Sequence, residues 1–392
     1  MTELDALLAF LIAALVALIV TPLTARLAAR VGAVDRPSER GLGDGPTPRL
    51  GGLALLAGVL VAGAVFLADD PEMRGVLLGA AAIAVIGAVD DAIDLPPVLK
   101  LAGQVGAASI PVLSGVEVRD FTLPLAGPID LGHAAKPVTL FGFVAAMNVV
   151  NFTDGVDGLA AGVCTIAAAT FAVIALSLGR IEAGTLAALT AGAAVGFLRH
   201  NFHPASVFMG DSGSNLLGLL LAAVAIQGVL KTAAVVAFFF PLMILAVPIL
   251  DSGFVVAKRI KHRRPVYEAD RWHFHHRFAN IGFSQRRTVL YLYAWTLSLA
   301  ALALALRFVP YSDDFGHLDA AWTIVVVAVG LVALAASVYL VYVLEILKFR
   351  RFRARQLRRE AMRHGAPPPP EPAIAAEVER EVETGDFESV GR

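Results

Sequence analysis

Long apolar runs separated by short polar loops dominate this sequence of 392 residues. Hydrophobic residues make up 57% of the chain and charged residues only 17%, below the roughly 25% of ordinary soluble domains. A helix that crosses a bilayer needs roughly 20 apolar residues, so the apolar supply matches about eleven spans. This composition excludes a soluble globular enzyme and a disordered chain. It also excludes a disulfide scaffold, because Cys164 is the only cysteine.

We therefore predict an all-α, polytopic integral membrane protein with about eleven transmembrane helices within residues 1–347. A basic juxtamembrane segment, 348–364, then serves to fix topology, or alternatively binds anionic lipid. Residues 365–392 form a Pro-rich acidic tail that is predicted to be disordered. The predicted spans are 4–24, 51–68, 75–89, 98–114, 137–150, 159–178, 183–198, 213–229, 232–254, 288–308 and 320–346.

Basic residues are distributed unevenly between the two sides of these spans. When the loops alternate between sides, roughly four fifths of the 32 lysines and arginines fall on one side, which the positive-inside rule makes cytoplasmic. The N-terminus is then outside and the C-terminus inside. The unusual polar clusters of the chain fall on the same cytoplasmic side, which predicts one site built from several loops.

The first cluster is acidic and lies where the third span meets the cytoplasm. If the helix continues, Asp90 and Asp94 share a face, with Asp91 beside them. Carboxylates this close repel each other, so a positive group is expected nearby. Mg²⁺ and Lys100 of the next helix are the candidates. The alternative is an ordinary solvated helix end.

The second cluster follows the fifth span and runs from Asn148 to Gly158. Asn148 and Asn151 share a helix face, while Asp154 and Asp157 lie in a Gly-rich turn. Amides and carboxylates of this kind read a nucleobase edge or hold a hydrated cation. The alternative is an Asx-rich turn between spans, and the likeness to the start of an EF-hand loop lacks the rest of that loop.

The third cluster, residues 209–214, places Asp211 and two serines at the start of the eighth span. A helix N-terminus with free N–H groups binds phosphate, and Asp211 could hold a metal in front of it. The alternative is simple N-capping by Ser212 or Ser214.

The fourth cluster is a basic, histidine-containing loop at 258–287. Its side chains suit the neutralisation of a pyrophosphate. A zinc site is a rival interpretation, although no cysteine is near, and a plain basic surface loop is another. The candidate residues of this loop are Arg271, His273, His275 and His276.

Taken together, these motifs resemble the polyprenyl-phosphate N-acetylhexosamine-1-phosphate transferases, which start cell-wall and surface-glycan lipid intermediates. The resemblance spans Pro46 to Arg277, and the order of five blocks makes it specific. The matching blocks are Pro46 to Gly52, Asp90-Asp91 through Asp94-Leu95 with Lys100-Leu101 and Gln104, Asn148 to Gly158, Phe208 to Ser214, and Asp270 to His276.

The histidine loop bears on the branch of the family. Its Asp-Arg-x-His-x-His-His pattern is similar to the UDP-N-acetylglucosamine branch, which uses undecaprenyl or decaprenyl phosphate. The muramoyl-pentapeptide branch usually has three consecutive histidines followed by an acid. Here Phe274 interrupts the run and Arg277 follows it, so phospho-N-acetylmuramoyl-pentapeptide transfer is the alternative within the family.

The resemblance implies transfer of a sugar-1-phosphate from a UDP-sugar to polyprenyl phosphate, with release of UMP. It implies an Mg²⁺ cofactor, for which Mn²⁺ could substitute, held by Asp211 with support from Asn151. Asp90, Asp91 and Asp211 are the predicted catalytic residues. The predicted substrate-binding residues are Lys100, Asn148, Asn151, Asp154, Asp157, Arg271, His273, His275 and His276.

The expected partners are a UDP-N-acetylhexosamine and a polyprenyl phosphate lipid in the plasma (inner) membrane of a bacterium, with no nucleic acid. A homodimer is one assembly that the sequence leaves open.

Two other classes of function are alternative interpretations of the same sequence. An ion-coupled transporter would need acids near mid-span, whereas here they cluster at one face. A non-enzymatic scaffold would bind lipid headgroups through the basic tail.

Overall fold

The computed structural model describes residues 1–35, 46–123, 127–230, 284–309 and 319–342, together with a few positions within 245–253 and 358–380. Two short antiparallel hairpins interrupt the helices, β1–β2 (Val34–Asp35 with Thr47–Pro48) and β3–β4 (Asp120–Leu123 with Gly127–Asp130). A π-helical stretch, Ala225–Leu230, continues the eighth helix. The α-helices in these ranges are α1 (Glu3–Val31), α2 (Gly51–Phe66), α3 (Pro71–Ile93), α4 (Pro97–Leu113), α5 (Ala135–Thr153), α6 (Leu159–Ser177), α7 (Ile181–Asn201), α8 (Gly210–Val224), α9 (Gln285–Phe308) and α10 (Ala320–Tyr342).

These helices support the prediction of a helical, multi-pass membrane protein. Six helical segments of the described ranges are long and apolar enough to cross a bilayer. The segments Gly51–Phe66, Pro97–Leu113 and Ala320–Ala335 are apolar but shorter. The predicted ninth span, 232–254, lies mostly outside the described residues. The total of eleven spans and their orientation therefore stay predictions. The six long segments are Glu3–Val31, Pro71–Ile93, Gly132–Thr153, Leu159–Ser177, Ile181–Asn201 and Gln285–Phe308.

The chain divides into two compact units. The first comprises residues 1–250 and 292–309, and the second comprises 251–291 and 310–392. Within the second, α10 is an apolar helix with many exposed aliphatic side chains, among them Ile324 and Leu331. The clusters that the sequence places at 90–100, 148–158 and 209–214 all lie in the first unit.

Helix α1 buries small residues and exposes large apolar ones, the opposite of a helix in a soluble protein. Its buried face consists of small side chains, whereas its leucines point outward. In a bilayer the lipid accepts large apolar side chains, and helices associate through small residues that let their backbones approach closely. The buried small residues are Ala6, Ala9, Ala13, Ala17, Thr21, Thr24 and Ala28.

Helix α7 packs closely against α1 through two glycines one turn apart. A methyl group added at Gly192 would collide with the carbonyl oxygen of Phe10, and one added at Gly196 would collide with that of Ala14. Gly192 and Gly196 are therefore the small-xxx-small pair that sets the distance between these helices.

Glycines also bring α2 and α3 directly onto the first turn of α8. A methyl group at Gly52 would overlap the backbone of Gly213, and one at Gly87 would lie 2.5 Å from the Cα of Ser212. The amides of Gly51 and Gly52 donate to the carbonyls of Phe208 (3.0 Å) and Met209 (2.9 Å). The start of α2 is thus joined to the start of α8 by main-chain hydrogen bonds.

We predict that Gly196→Ala destabilises the protein, although alanine is the better helix former by about 1 kcal/mol. The added methyl group forces α7 away from the carbonyl of Ala14, and such overpacking costs about 1–3 kcal/mol. The measurement is the melting temperature of the purified protein in detergent. Gly142→Ala on α5 is the matched control, because a methyl group there meets nothing within 4 Å. Equal melting temperatures for Gly196→Ala and the wild type would contradict this packing.

Candidate active site

A lysine from one helix lies between two carboxylates from two others. Asp90 is in the last turn of α3, Lys100 in the first turn of α4, and Asp211 in the first turn of α8. The Lys100 Nζ lies 3.1 Å from Asp90 Oδ2 and also donates to Asp211 Oδ2. Asp90 is only 7% exposed, and its other oxygen accepts the amide of Leu95 at 2.7 Å. The predicted need for a positive group beside the acids is thus met by Lys100.

The amide of Asn151 connects α5 to the same centre. Its Nδ2 donates to Asp211 Oδ1 (2.6 Å) and to Ser214 Oγ (2.8 Å). Asp211 therefore receives a donor on each carboxylate oxygen, one from Lys100 and one from Asn151. The structure brings Asp90, Lys100, Asn151 and Asp211 together, as the sequence predicts for one site, while their chemical roles stay predictions.

Asp91 holds the start of α8 rather than facing the centre. Its two carboxylate oxygens accept the amides of Asp211 (2.8 Å) and Ser212 (3.1 Å). A negative charge is favourable at this end of a helix, where N–H groups lack partners. The contacts of Asp91 are therefore those of a group that positions Asp211, while the catalytic role of Asp91 stays a prediction.

The alternative of simple N-capping by Ser212 or Ser214 is wrong, while phosphate binding at the start of α8 stays a prediction. Ser212 and Ser214 do not cap its N–H groups, because their hydroxyls donate to the carbonyls of Met209 (3.3 Å) and Gly210 (3.1 Å). Nor are the first N–H groups all available to a phosphate, since Asp91 occupies two of them. Sequence reasoning missed this because the cap comes from 120 residues away.

Asp94 does not share a helix face with Asp90. Helix α3 ends at Ile93, and Asp94 follows it in the left-handed conformation with φ of 51°. Its side chain is exposed. Of the three acids in this cluster, Asp90 thus belongs to the charged centre, Asp91 binds the backbone at the start of α8, and Asp94 follows the end of α3.

The turn after α5 is held by residues to which the sequence assigned no role. Asp157 Oδ2 accepts the amide of Ala205 at 3.0 Å and lies 2.9 Å from Nδ1 of His203. Asn201, only 2% exposed, accepts the amide of Gly158 at 3.0 Å and donates to the carbonyl of Val207 at 3.0 Å. His203 and Asn201 carry no recognisable spacing, so only the structure reveals that they join the 154–158 turn to the 202–207 loop.

Asp154 lies just beyond the end of α5, in an acid-rich environment. Burial and the negative charges of Asp211, Asp91 and Asp157 together raise the pKa of its carboxyl to about 8, with Arg49 opposing them. At pH 7 this carboxyl is therefore mostly protonated. Among the described residues, three carboxylates raise its pKa and one arginine lowers it, so a cation bound beside Asp154 would favour its ionised form.

The remaining predicted residues are placed as follows. Asn148 lies one turn before Asn151 on α5, where its Nδ2 donates to Gln104 Oε1 at 2.9 Å, deeper among the helices than the acids. The four candidates of the histidine loop, Arg271, His273, His275 and His276, lie outside the described residues.

The donor set at the centre fits a hard divalent cation. Mg²⁺ prefers oxygen ligands and is bound through one or two carboxylates plus substrate phosphates rather than by an all-protein cage. Asp211, Asp90 and the side-chain oxygen of Asn151 offer such ligands. Within the described ranges no group of three or more His, Cys, Asp or Glu side chains could hold a metal ion alone. The residues thus fit an ion shared with a phosphate substrate.

Comparisons with known proteins match this part of the chain. The family described as Glycosyl transferase family 4 matches residues 73–229, which include the acidic centre. A probable undecaprenyl-phosphate N-acetylglucosaminyl 1-phosphate transferase of Bacillus subtilis is 38% identical over 282 residues, 70% of this chain and 78% of the relative. A decaprenyl-phosphate N-acetylglucosaminephosphotransferase of Mycobacterium tuberculosis is 38% identical over 332 residues, 76% of this chain and 82% of the relative.

A phospho-N-acetylmuramoyl-pentapeptide-transferase of Desulforudis audaxviator is also similar, but less so. It is 34% identical over 310 residues, which is 69% of this chain and 90% of the relative. The chain is therefore more similar to the two N-acetylglucosamine relatives above than to this one.

We predict that Asn201→Leu destabilises the protein by about 1–3 kcal/mol, because it leaves the amide of Gly158 and the carbonyl of Val207 without a partner in a buried position. Leucine has the same number of side-chain heavy atoms as asparagine, branched at the same carbon, and removes both hydrogen-bonding groups. The measurement is the melting temperature in detergent. Arg199→Gln, at an exposed position in the same last turn of α7, is the control and should melt as the wild type does. A wild-type melting temperature for Asn201→Leu would show that this bridge is dispensable.

Proposed function

Because the chain belongs to glycosyl transferase family 4, in the branch of the polyprenyl-phosphate N-acetylglucosamine-1-phosphate transferases, we propose that it transfers N-acetylglucosamine-1-phosphate. The donor is UDP-N-acetylglucosamine, the acceptor is a polyprenyl phosphate, and UMP is released. The observation that carries this proposal is the convergence of Asp90, Lys100, Asn151 and Asp211 at one end of four apolar helices.

The location of the centre suits this pair of substrates. A polyprenyl phosphate enters from the bilayer, whereas a nucleotide sugar comes from the cytosol, so they can meet only at the boundary. Asp90 ends α3, Asn151 ends α5, and Lys100 and Asp211 begin α4 and α8. By the distribution of basic residues this boundary is the cytoplasmic one, and the protein is a multi-pass protein of a bacterial inner membrane.

The reaction exchanges one phosphorus–oxygen bond for another. An oxygen of the lipid phosphate attacks the phosphorus that bears N-acetylglucosamine, and the bond from this phosphorus to the bridging oxygen breaks. UMP departs with that oxygen and its electron pair. The second pKa of a phosphate monoester is near 6, so the acceptor is largely ionised at neutral pH. Direct attack therefore needs little base catalysis, and we prefer it to a covalent aspartyl-phosphate intermediate.

Lys100 and Asp90 are the residues that we assign to direct interaction with the reacting phosphates. The ammonium of Lys100 is the cation of the described site that lies between two carboxylates, and it can move its contact from Asp211 to a phosphate oxygen. Charge that develops on phosphate oxygens is stabilised by such a fixed cation. Asp90 orients Lys100 and accepts the proton from the minor fraction of acceptor that is still protonated.

Asp211 is held in place from three directions. Asp91 fixes the backbone of Asp211, Asn151 donates to its side chain, and Ser214 accepts from Asn151. When Mg²⁺ is bound, Asp211 and Asn151 are the residues that would hold it, and the ion would neutralise the pyrophosphate of the donor. Preorganisation of this kind is the main contribution that a protein makes to phosphoryl transfer.

The experiment that tests the function is incubation of the purified protein with radiolabelled UDP-N-acetylglucosamine and polyprenyl phosphate. We expect a labelled lipid and an equal amount of UMP. UDP-N-acetylmuramoyl-pentapeptide in place of the donor should give no lipid product. The variants Asp90→Asn and Asp211→Asn should lower the turnover by about 10²-fold or more, because each retains the shape and loses the charge.

Asp94→Asn serves as the matched control for these two variants. It makes the same change four residues from Asp90, at an exposed position that asparagine also tolerates in the left-handed conformation. We expect turnover close to that of the wild type. Asp90→Asn and Asp211→Asn proteins that keep most of their activity with Mg²⁺ present would overturn the assignment of the site.

We also predict that removal of divalent cations stops turnover. Treatment with EDTA should abolish formation of the labelled lipid, and excess Mg²⁺ should restore it, with Mn²⁺ as a possible substitute. The physical reason is that two carboxylates and a diphosphate repel each other unless a cation lies between them. Undiminished turnover in EDTA would contradict the requirement for a divalent cation.

A further inference from the structure

A second polar layer lies next to the charged centre and deeper in the helix bundle. It consists of three amide side chains, Gln104 of α4, Asn148 of α5 and Asn215 of α8. Gln104 and Asn215 are only 1% and 2% exposed. We call these three residues the amide layer.

The amide layer is joined by directional hydrogen bonds. Gln104 Nε2 donates to Asn215 Oδ1 at 2.8 Å, and Asn148 Nδ2 donates to Gln104 Oε1 at 2.9 Å. Gln104 Nε2 also donates to Asn148 Oδ1 at 3.5 Å. Two other donors reach the main chain, from Asn148 to the carbonyl of Val144 (2.8 Å) and from Asn215 to that of Asp211 (2.8 Å). Each amide therefore has a defined orientation, and Gln104 is the member that contacts both others.

The register of the amide layer matches that of the charged centre on all three helices. Gln104 follows Lys100 by four residues, Asn215 follows Asp211 by four, and Asn148 precedes Asn151 by three. Spacings of three and four put both members of each pair on one helix face, one turn apart. The same three helices thus contact each other through amides at one level and through Lys100, Asn151 and Asp211 at the next.

An amide layer at this depth calls for a physical reason beyond packing. The surrounding core is built from alanine, glycine and larger aliphatic residues, and buried amides gain no net stability over apolar side chains unless every group is paired. What amides add is direction, because their hydrogen bonds fix how far each helix is rotated and shifted along its axis. They also carry no charge, so they do not compete with Lys100 for Asp90 and Asp211.

We infer that Gln104, together with Asn148 and Asn215, is a positioning network that sets the distances among Lys100, Asn151 and Asp211. This inference rests on the proposed function for its effect on turnover. A displacement of about 1 Å among reacting groups can cost about 10²-fold in rate. It also changes the expectation for Asn148, which acts on Asn151 through its own helix instead of contacting the nucleotide sugar.

The first test is a set of variants that keep the approximate shape of the side chain and remove the amide, Gln104→Met, Asn148→Leu and Asn215→Leu. We expect each to lower kcat by about 10–100-fold while KM for UDP-N-acetylglucosamine stays within about threefold. The double variant Gln104→Met with Asn215→Leu should lose little more than the worse single variant, because the two residues act as one unit. Ser109→Ala on α4, whose hydroxyl bonds to Val105 of its own helix, should leave kcat unchanged.

The second test reads the geometry without any turnover. Lys100 is half-buried and ion-paired, so an amine-reactive reagent should label it slowly, as quantified by mass spectrometry. Gln104→Met should raise its labelling rate at least threefold, while the exposed Lys136 reacts at the same rate in both proteins. If the wild type forms no lipid product, the proposed function fails, and the labelling of Lys100 still decides the inference.

Three results would overturn the positioning network. They are a kcat of Gln104→Met within threefold of the wild type, an increase in KM alone for Asn148→Leu, and unchanged protection of Lys100. Should Gln104→Met fail to fold, the half-buried Asn148→Leu variant provides the same two measurements, since it removes the donor to Gln104 Oε1.

Discussion

Charges at a membrane boundary must be neutralised by neighbours, and the ion-paired group of Asp90, Lys100 and Asp211 meets this constraint. Two carboxylates from α3 and α8 share one ammonium from α4, so three helices are held at one level. The lysine prevents the repulsion that would otherwise separate the acids. The same ion pairs keep three helix ends, those of α3, α4 and α8, in contact.

The close approach of backbones makes this centre possible. Gly52 and Gly87 allow α2 and α3 to contact the first turn of α8, and Asp91 then reaches its N–H groups. A larger side chain at either glycine would move Asp211 away from Lys100. Small residues thus allow the close helix packing that positions the charged residues. Helices α1 and α7 also pack closely through alanine and glycine.

The charged centre is supported first by charged and amide side chains that contact it, then by neutral amides one turn deeper, and then by hydrogen bonds to the main chain of the loops. Lys100 and Asn151 contact Asp211 directly, and the amide layer lies one turn deeper. On the side of the loops, Asn201 and Asp157 tie the turn after α5 to the segment before α8. The geometry of the charged centre therefore depends also on residues at a distance from it, among them Gln104 and Asn201.

The sequence by itself determined the membrane class, the positions of most spans and the grouping of Asp90, Lys100, Asn151 and Asp211, because hydropathy and motif spacing are local properties. It could not assign the partners of Asp91, His203 or Asn201, and it wrongly offered Ser212 and Ser214 as caps. The partners His203 and Asp157 are 46 positions apart in the sequence, and Asp91 and Asp211 are 120 apart. Only the packing of the helices brings such residues together. Hydrogen bonds act over about 3 Å, so tertiary structure alone decided which donor met which acceptor.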